Sequence, residues 1–118
     1  MTTVRLLHIT TAAEAVTAYE EGEYRPAGFQ REGFIHCSFD RQVLATAARI
    51  FHGRQGLVLL EINPDLLECE VVEENLEGGS ELYPHIYGPL PMQAVRAVHP
   101  FPPGPDGSFS LPATLTSV

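Results

Sequence analysis

The run Leu57-Val58-Leu59-Leu60-Glu61-Ile62 constrains the fold more than any other stretch, because it is almost continuously apolar. A strand of that kind needs cover on both faces, so it belongs in the interior of a sheet. The remaining residues must supply that cover. With 118 residues the chain can build one real core but not two.

The flanking sequence offers suitable partners. From Val4 to Thr10 the side chains Val4, Leu6, His8 and Thr10 share one face and Arg5, Leu7 and Ile9 the other, the alternation of a first strand. Thr11-Ala12-Ala13-Glu14 has the form of a capping box, and the alanine-rich stretch behind it predicts a helix that Gly22 stops. Residues 23–32 show no period and read as a loop. In Gly33-Phe34-Ile35-His36-Cys37-Ser38 the apolar residues predict a short buried strand. Ser38 has the chemistry of an N-cap, and Gln42 follows one helical turn later. The next helix is expected from Asp40 to Phe51, with Val43, Leu44, Ala47, Ala48 and Phe51 on one face. Further strands are expected at Glu68 to Glu73, Tyr83 to Tyr87 and Ala94 to Val98, with a loop from Asn75 to Ser80 that contains Gly78 and Gly79. Residues 1–101 are expected to form a single α+β domain with two helices and a split or strongly bent sheet. Residues 102–118, containing Pro, Gly and Ser, read as a flexible or loosely packed tail.

Charge narrows the function classes. Seven arginines face fifteen acids, no lysine is present, and the net charge is -8. Between Arg54 and Arg96 there are eight acids and no arginine. That balance repels a phosphate backbone and disfavours a nucleic-acid partner, although Arg5, Arg25, Arg31 and Arg41 could form a local basic patch. Without lysine, Schiff-base chemistry and a Walker-type phosphate loop are excluded. No apolar run reaches the roughly 18 residues of a membrane span, and the N-terminus lacks the pattern of a signal peptide, which makes the cytoplasm the expected location. Cys37 and Cys69, both in expected strands, read as free buried thiols.

Three histidines share a local grammar. His8 is followed two places on by Thr10, His36 by Ser38 and His85 by Tyr87, with Tyr83 two places before His85. Side-chain alternation puts each imidazole and its hydroxyl neighbour on one face, and polar pairs on apolar strands suggest a common polar patch. His52 and His99, at element ends, read as solvated, and Cys37 alternates away from His36. Three histidines could also hold a catalytic zinc ion, an alternative that makes the protein a hydrolase.

Two of these runs carry a family resemblance. Gly33 to Ser38 resembles the signature of a small bacterial family catalogued as domain of unknown function 952. Glu81-Leu82-Tyr83-Pro84-His85-Ile86-Tyr87-Gly88-Pro89-Leu90-Pro91 is similar to its second hallmark, and Leu7-His8-Ile9-Thr10 to its opening strand. More distantly, His8-Ile9-Thr10 and the strand at His36 resemble the ADP-ribosyltransferase superfamily, in the branch of the RNA 2'-phosphotransferases, which act on NAD with paired histidines. That resemblance implies a mainly antiparallel split sheet, NAD as cofactor and transferase or NAD-cleaving activity. It implies His8, His36 and His85 as catalytic residues, His8 at the ribose of the nicotinamide side and His36 beside the ribose or nicotinamide. Glu81 stands as an alternative acid. Thr10, Ser38, Tyr83, Tyr87 and Arg25 would bind the nucleotide, and Arg5, Arg25 and Arg31 are candidates for its pyrophosphate. A non-catalytic nucleotide-binding or protein-interaction module is the rival reading.

Overall fold

The computed structural model describes residues 5–75 and 79–115. Val4 of the expected first strand and Gly78 of the expected loop lie outside the described residues. The chain runs β1 (Leu6–Thr11), α1 (Ala12–Glu21), β2 (Glu23–Tyr24), α2 (Phe29–Glu32), β3 (Ile35–His36), β4 (Ser38–Phe39), α3 (Val43–Ile50), β5 (Leu57–Ile62), β6 (Val71–Glu74), β7 (Tyr83–Ile86), β8 (Leu90–Pro91) and β9 (Val95–Pro100). Short 3-10 turns lie at Pro64–Leu66, Met92–Ala94 and Ala113–Leu115.

β5 is interior, with every residue buried, in a four-stranded sheet of order β4-β1-β5-β9. Three strands form a second sheet, β3-β7-β6, and β2 pairs with β8. All these pairings are antiparallel. The α+β domain with a split sheet is therefore observed.

Strand alternation gives the four-stranded sheet two apolar faces. Leu6, Val58, Leu60 and Ile62 pack with Ala15 and Ala18 of α1, and with Ile35 and Ile86 of the second sheet. Leu7, Ile9, Leu57 and Leu59 pack on the other side with Val43 and Ala47 of α3, Phe101 and Leu115. Each Leu, Ile, Val or Phe side chain among them contributes roughly 1.5–3 kcal/mol when removed from water.

Several expectations need correction. Among the described residues there are three helices rather than two. The stretch read as a loop over 23–32 contains β2 and α2, the latter a single turn bounded by Gly28 and Gly33 at φ 91° and 82°. One turn is too short to show a 3.6-residue period. α3 starts at Val43, not Asp40, and Ser38 is not its N-cap, because Ser38 pairs with Leu7 in β4. Cys69 lies before β6, not in a strand. His99 is buried rather than solvated: its Nε2 donates to Glu61 Oε1 at 2.8 Å and its Nδ1 meets the Thr114 hydroxyl at 2.7 Å. Glu61, the polar residue of β5, also accepts from Arg5 at 2.9 Å, so its buried carboxylate is compensated. Of the segment read as a loose tail, residues 102–115 pack as structure, with Leu115 buried and Phe109 and Leu111 against the second core face, and residues 116–118 lie outside the described residues. No helix among the described residues is long and apolar enough to cross a membrane.

Candidate functional site

The run from Gly33 to Ser38 serves two sheets. β3 pairs with β7, putting His36 directly opposite His85, whereas β4 pairs with β1, putting Ser38 opposite Leu7. Cys37 sits between them, and its N–H donates to Pro84 O at 3.0 Å. The chain thus leaves one sheet and enters the other across a single residue. A cleft of about 470 Å³ opens at that crossing, with β1, β2, β3, β7 and α3 contributing to its walls. Such a volume suits a small-molecule ligand.

The floor is a buried hydrogen-bonded row. His8 Nδ1 lies 2.5 Å from His36 O, and His8 Nε2 lies 2.9 Å from Tyr24 Oη. Tyr24 Oη and Thr10 Oγ1 are 3.0 Å apart, and the Thr10 hydroxyl donates to Glu14 Oε1 at 2.8 Å. A carbonyl oxygen can only accept, so Nδ1 carries hydrogen and Nε2 is the basic nitrogen. Burial lowers the pKa of His8 from 6.5 to about 4, outweighing the opposing effect of the bond to the His36 carbonyl. Burial likewise pushes Tyr24 up to about 12. Both rings are neutral at pH 7.

The wall is aromatic. Phe34 stacks on His85 with ring centroids 4.5 Å apart and 18° between planes, and the His36 ring meets His85 nearly edge-on at 5.0 Å. His36 is 46% exposed, with Nε2 3.4 Å from Glu32 Oε2. His85 is buried and bonds through Nδ1 to Glu74 Oε1 at 2.9 Å. Glu74 also accepts from the Tyr87 hydroxyl. The Tyr87 and His85 hydrogen bonds hold the Glu74 carboxyl below the usual carboxylate range, and the same bond raises Tyr87.

The cleft brings together His8, Thr10, His36, Ser38, Tyr83 and His85. Ser38 Oγ lies 3.2 Å from Thr46 Oγ1, joining β4 to α3 across the cleft. Tyr87 stands behind His85 at Glu74, outside the lining. Arg25 is turned away, paired with Glu23 at 2.5 Å, and Arg5 pairs with Glu61. Arg31 does not line the cleft either, and the arginine that does is Arg49 of α3. Glu81 accepts from Gln42 Nε2 at 3.0 Å and faces a neighbouring depression instead. His8 has both ring nitrogens engaged, so it offers no free nitrogen to a ribose or a metal. Among the described residues no group of three or more His, Cys, Asp or Glu is placed to hold a metal ion, so the three histidines do not form a ligand set in this arrangement. Burial raises the Cys37 thiol far above its ordinary value, leaving a poor nucleophile.

Sequence reasoning missed Glu14, Tyr24, Glu32, Phe34 and Arg49 as lining residues. Phe34 and Glu32 adjoin the His36 run and could have been found from it. Tyr24 and Arg49 carry no local signal, since their positions follow from how β2 and α3 pack.

Solved structures share the fold. The crystal structure of protein CC0527 from Caulobacter crescentus matches with a TM-score of 0.80 at 32% identity, over 92% of this chain and 95% of that one. The solution NMR structure of CC0527 matches with a TM-score of 0.76 at 31% identity, over 88% of this chain and 90% of that one. The model of the family described as "Protein of unknown function (DUF952)" matches residues 9–98. No curated protein matches the chain.

Proposed function

Because the chain belongs to the DUF952 family, whose description carries no activity, we propose a function from the cleft: it binds a nucleotide of the NAD class, in an ADP-ribosyltransferase-like arrangement that supports cleavage at the nicotinamide ribose. The observation that carries this reading is the union of a neutral, hydrogen-bonding floor with an aromatic wall and two carboxylates in one cleft. A planar ring fits against Phe34 and His85, and a sugar fits the hydroxyls of Thr10 and Ser38. NAD, when bound, supplies a glycosidic bond whose cleavage builds positive charge on the sugar.

The side chains are suited to such a ligand. Glu14 and Glu32 bring negative charge to the cleft, which favours a developing cation in a partly enclosed site. Arg49 takes the anion-binding role that Arg5, Arg25 and Arg31 do not reach. His36, half-exposed, is the imidazole that meets the ligand. His8 works one step back, holding the His36 carbonyl and the Tyr24 hydroxyl.

Calorimetric titration with NAD, ADP-ribose and nicotinamide tests the reading. Wild type should bind NAD and ADP-ribose saturably, and His36→Ala should lose that binding with stability changed by no more than about 1 kcal/mol, since the side chain is exposed. This substitution keeps the carbonyl that His8 uses. Binding without nicotinamide release identifies a non-catalytic module, and no binding of any of the three by folded wild type refutes the nucleotide reading.

A further inference from the structure

The row His8, Tyr24, Thr10 and Glu14 is one hydrogen short. Its three gaps, His8 Nε2 to Tyr24 Oη, Tyr24 Oη to Thr10 Oγ1 and Thr10 Oγ1 to Glu14 Oε1, span 2.9, 3.0 and 2.8 Å. His8 has committed its Nδ1–H to the His36 carbonyl. With Glu14 ionised, only the two hydroxyl hydrogens remain for three gaps, so two acceptors face each other in one of them. A buried acceptor without a donor costs about 1–3 kcal/mol.

One added proton completes the row, and it can do so in two ways. In the first, His8 is an imidazolium, Nε2–H donates to Tyr24, Tyr24 to Thr10, and Thr10 to the Glu14 carboxylate. In the second, a protonated Glu14 donates to Thr10, Thr10 to Tyr24, and Tyr24 to a neutral His8 Nε2. The two arrangements hold the same number of protons. They interconvert when each hydrogen crosses its own gap and no heavy atom leaves its place. Glu14 is exposed at the start of α1, whereas His8 is buried.

We propose that Tyr24, Thr10 and Glu14 form a proton relay that joins the buried His8 to solvent at the first turn of α1. Glu14 is placed for that role at the expense of a local bond. Thr11-Ala12-Ala13-Glu14 has the form of a capping box, and the Thr11 hydroxyl does accept from Glu14 N at 3.1 Å. The Glu14 carboxylate instead takes the Thr10 hydroxyl at 2.8 Å, with Thr11 Oγ1 at 3.5 Å. The other titratable groups facing the row are His36 from β3 and the Cys37 thiol. Opposite His8, β5 presents only Leu60. The relay is a property of the unliganded protein and goes beyond the identity of any nucleotide.

Two groups that share a proton titrate as a pair. The test is an NMR titration of the whole protein without ligand, following the His8 ring nitrogens and the Glu14 side-chain carboxyl carbon from neutral pH towards acid. In wild type, both signals should move over the same pH range. Tyr24→Phe should decouple them, so that the two signals no longer move over a common pH range. Thr10→Val cuts the same row one link further on and should have the same effect, which keeps the test decisive if one variant fails to fold. The His85 ring signals report folding in each case. Independent titration of the two groups in wild type overturns the proposal, as does a shared transition that survives in a folded Tyr24→Phe or Thr10→Val variant.

Discussion

His8 is kept neutral by burial, and this has a signed consequence for stability. Its pKa is about 4 in the folded protein against 6.5 for the free side chain. Above 6.5 neither state takes the proton, and the full stability is present. As pH falls from 6.5 towards 4 the unfolded chain takes the proton first, so stability declines and the loss is complete below the folded value. The difference amounts to about 3 kcal/mol. Glu74, held low by Tyr87 and His85, acts in the same direction. Urea unfolding at about pH 7 and about pH 4.5 should show this decline in wild type. In His8→Gln the decline should be clearly shallower, and an equal slope in the two proteins would assign the effect to other groups.

At the scale of elements, the site depends on how α3 is tied to β7. Gln42, the residue before α3, is 1% exposed. Its Nε2 donates to Glu81 Oε1 at 3.0 Å and to Leu82 O at 2.8 Å, and its Oε1 accepts from Phe39 N at 3.0 Å. One side chain therefore bridges the end of β4 and the entry to β7, the strand that carries His85. Gln42→Leu keeps the bulk and leaves Phe39 N and Leu82 O without that partner, a loss of about 2–4 kcal/mol. Unfolding curves should register the cost, and amide exchange from Tyr83 to Ile86 should quicken as the entry to β7 loosens. Unchanged exchange there would show that the strand pairing alone sets the position of β7. In the sequence Gln42 stands out only as a polar residue near an apolar helix face, because two of its three partners, Glu81 and Leu82, arrive some forty residues later.

At the scale of the whole molecule, the second core face closes only when the last described residues return to it. Leu115 is 1% exposed, and Phe109 and Leu111 pack beside it. His99, a buried imidazole, is capped there by Thr114. None of the described residues after Phe101 lines the cleft. Removing residues 102–118 should therefore cost at least about 3 kcal/mol of stability and leave ligand binding intact at temperatures where the protein remains folded. Thermal unfolding and calorimetry of the truncated protein check both halves. Unchanged stability would contradict the packing of Leu115 as a core residue.

Sequence alone determined the features whose causes are local. The apolar run Leu57 to Ile62 made β5 an interior strand, and Thr11 and Gly22 marked the ends of α1, where a threonine hydroxyl meets a backbone N–H and a glycine adopts φ 85°. The pairing of imidazole and hydroxyl at alternate positions pointed to His8, Thr10, His36, Ser38, Tyr83 and His85, which line one cleft, and also to Tyr87, which does not. Only the tertiary structure decided that the strand at His36 breaks at Cys37 to serve two sheets, since each half takes its direction from a partner strand elsewhere in the chain. It also brought Tyr24 to His8, turned Arg25 away from the cleft and set Arg49 beside it, buried His99 against Glu61, and folded the proline-containing end back onto the core. The physical reason is the same in each case: a cap or an alternation is satisfied within a few residues, whereas a buried polar group is satisfied by whichever partner the register and packing of remote strands deliver.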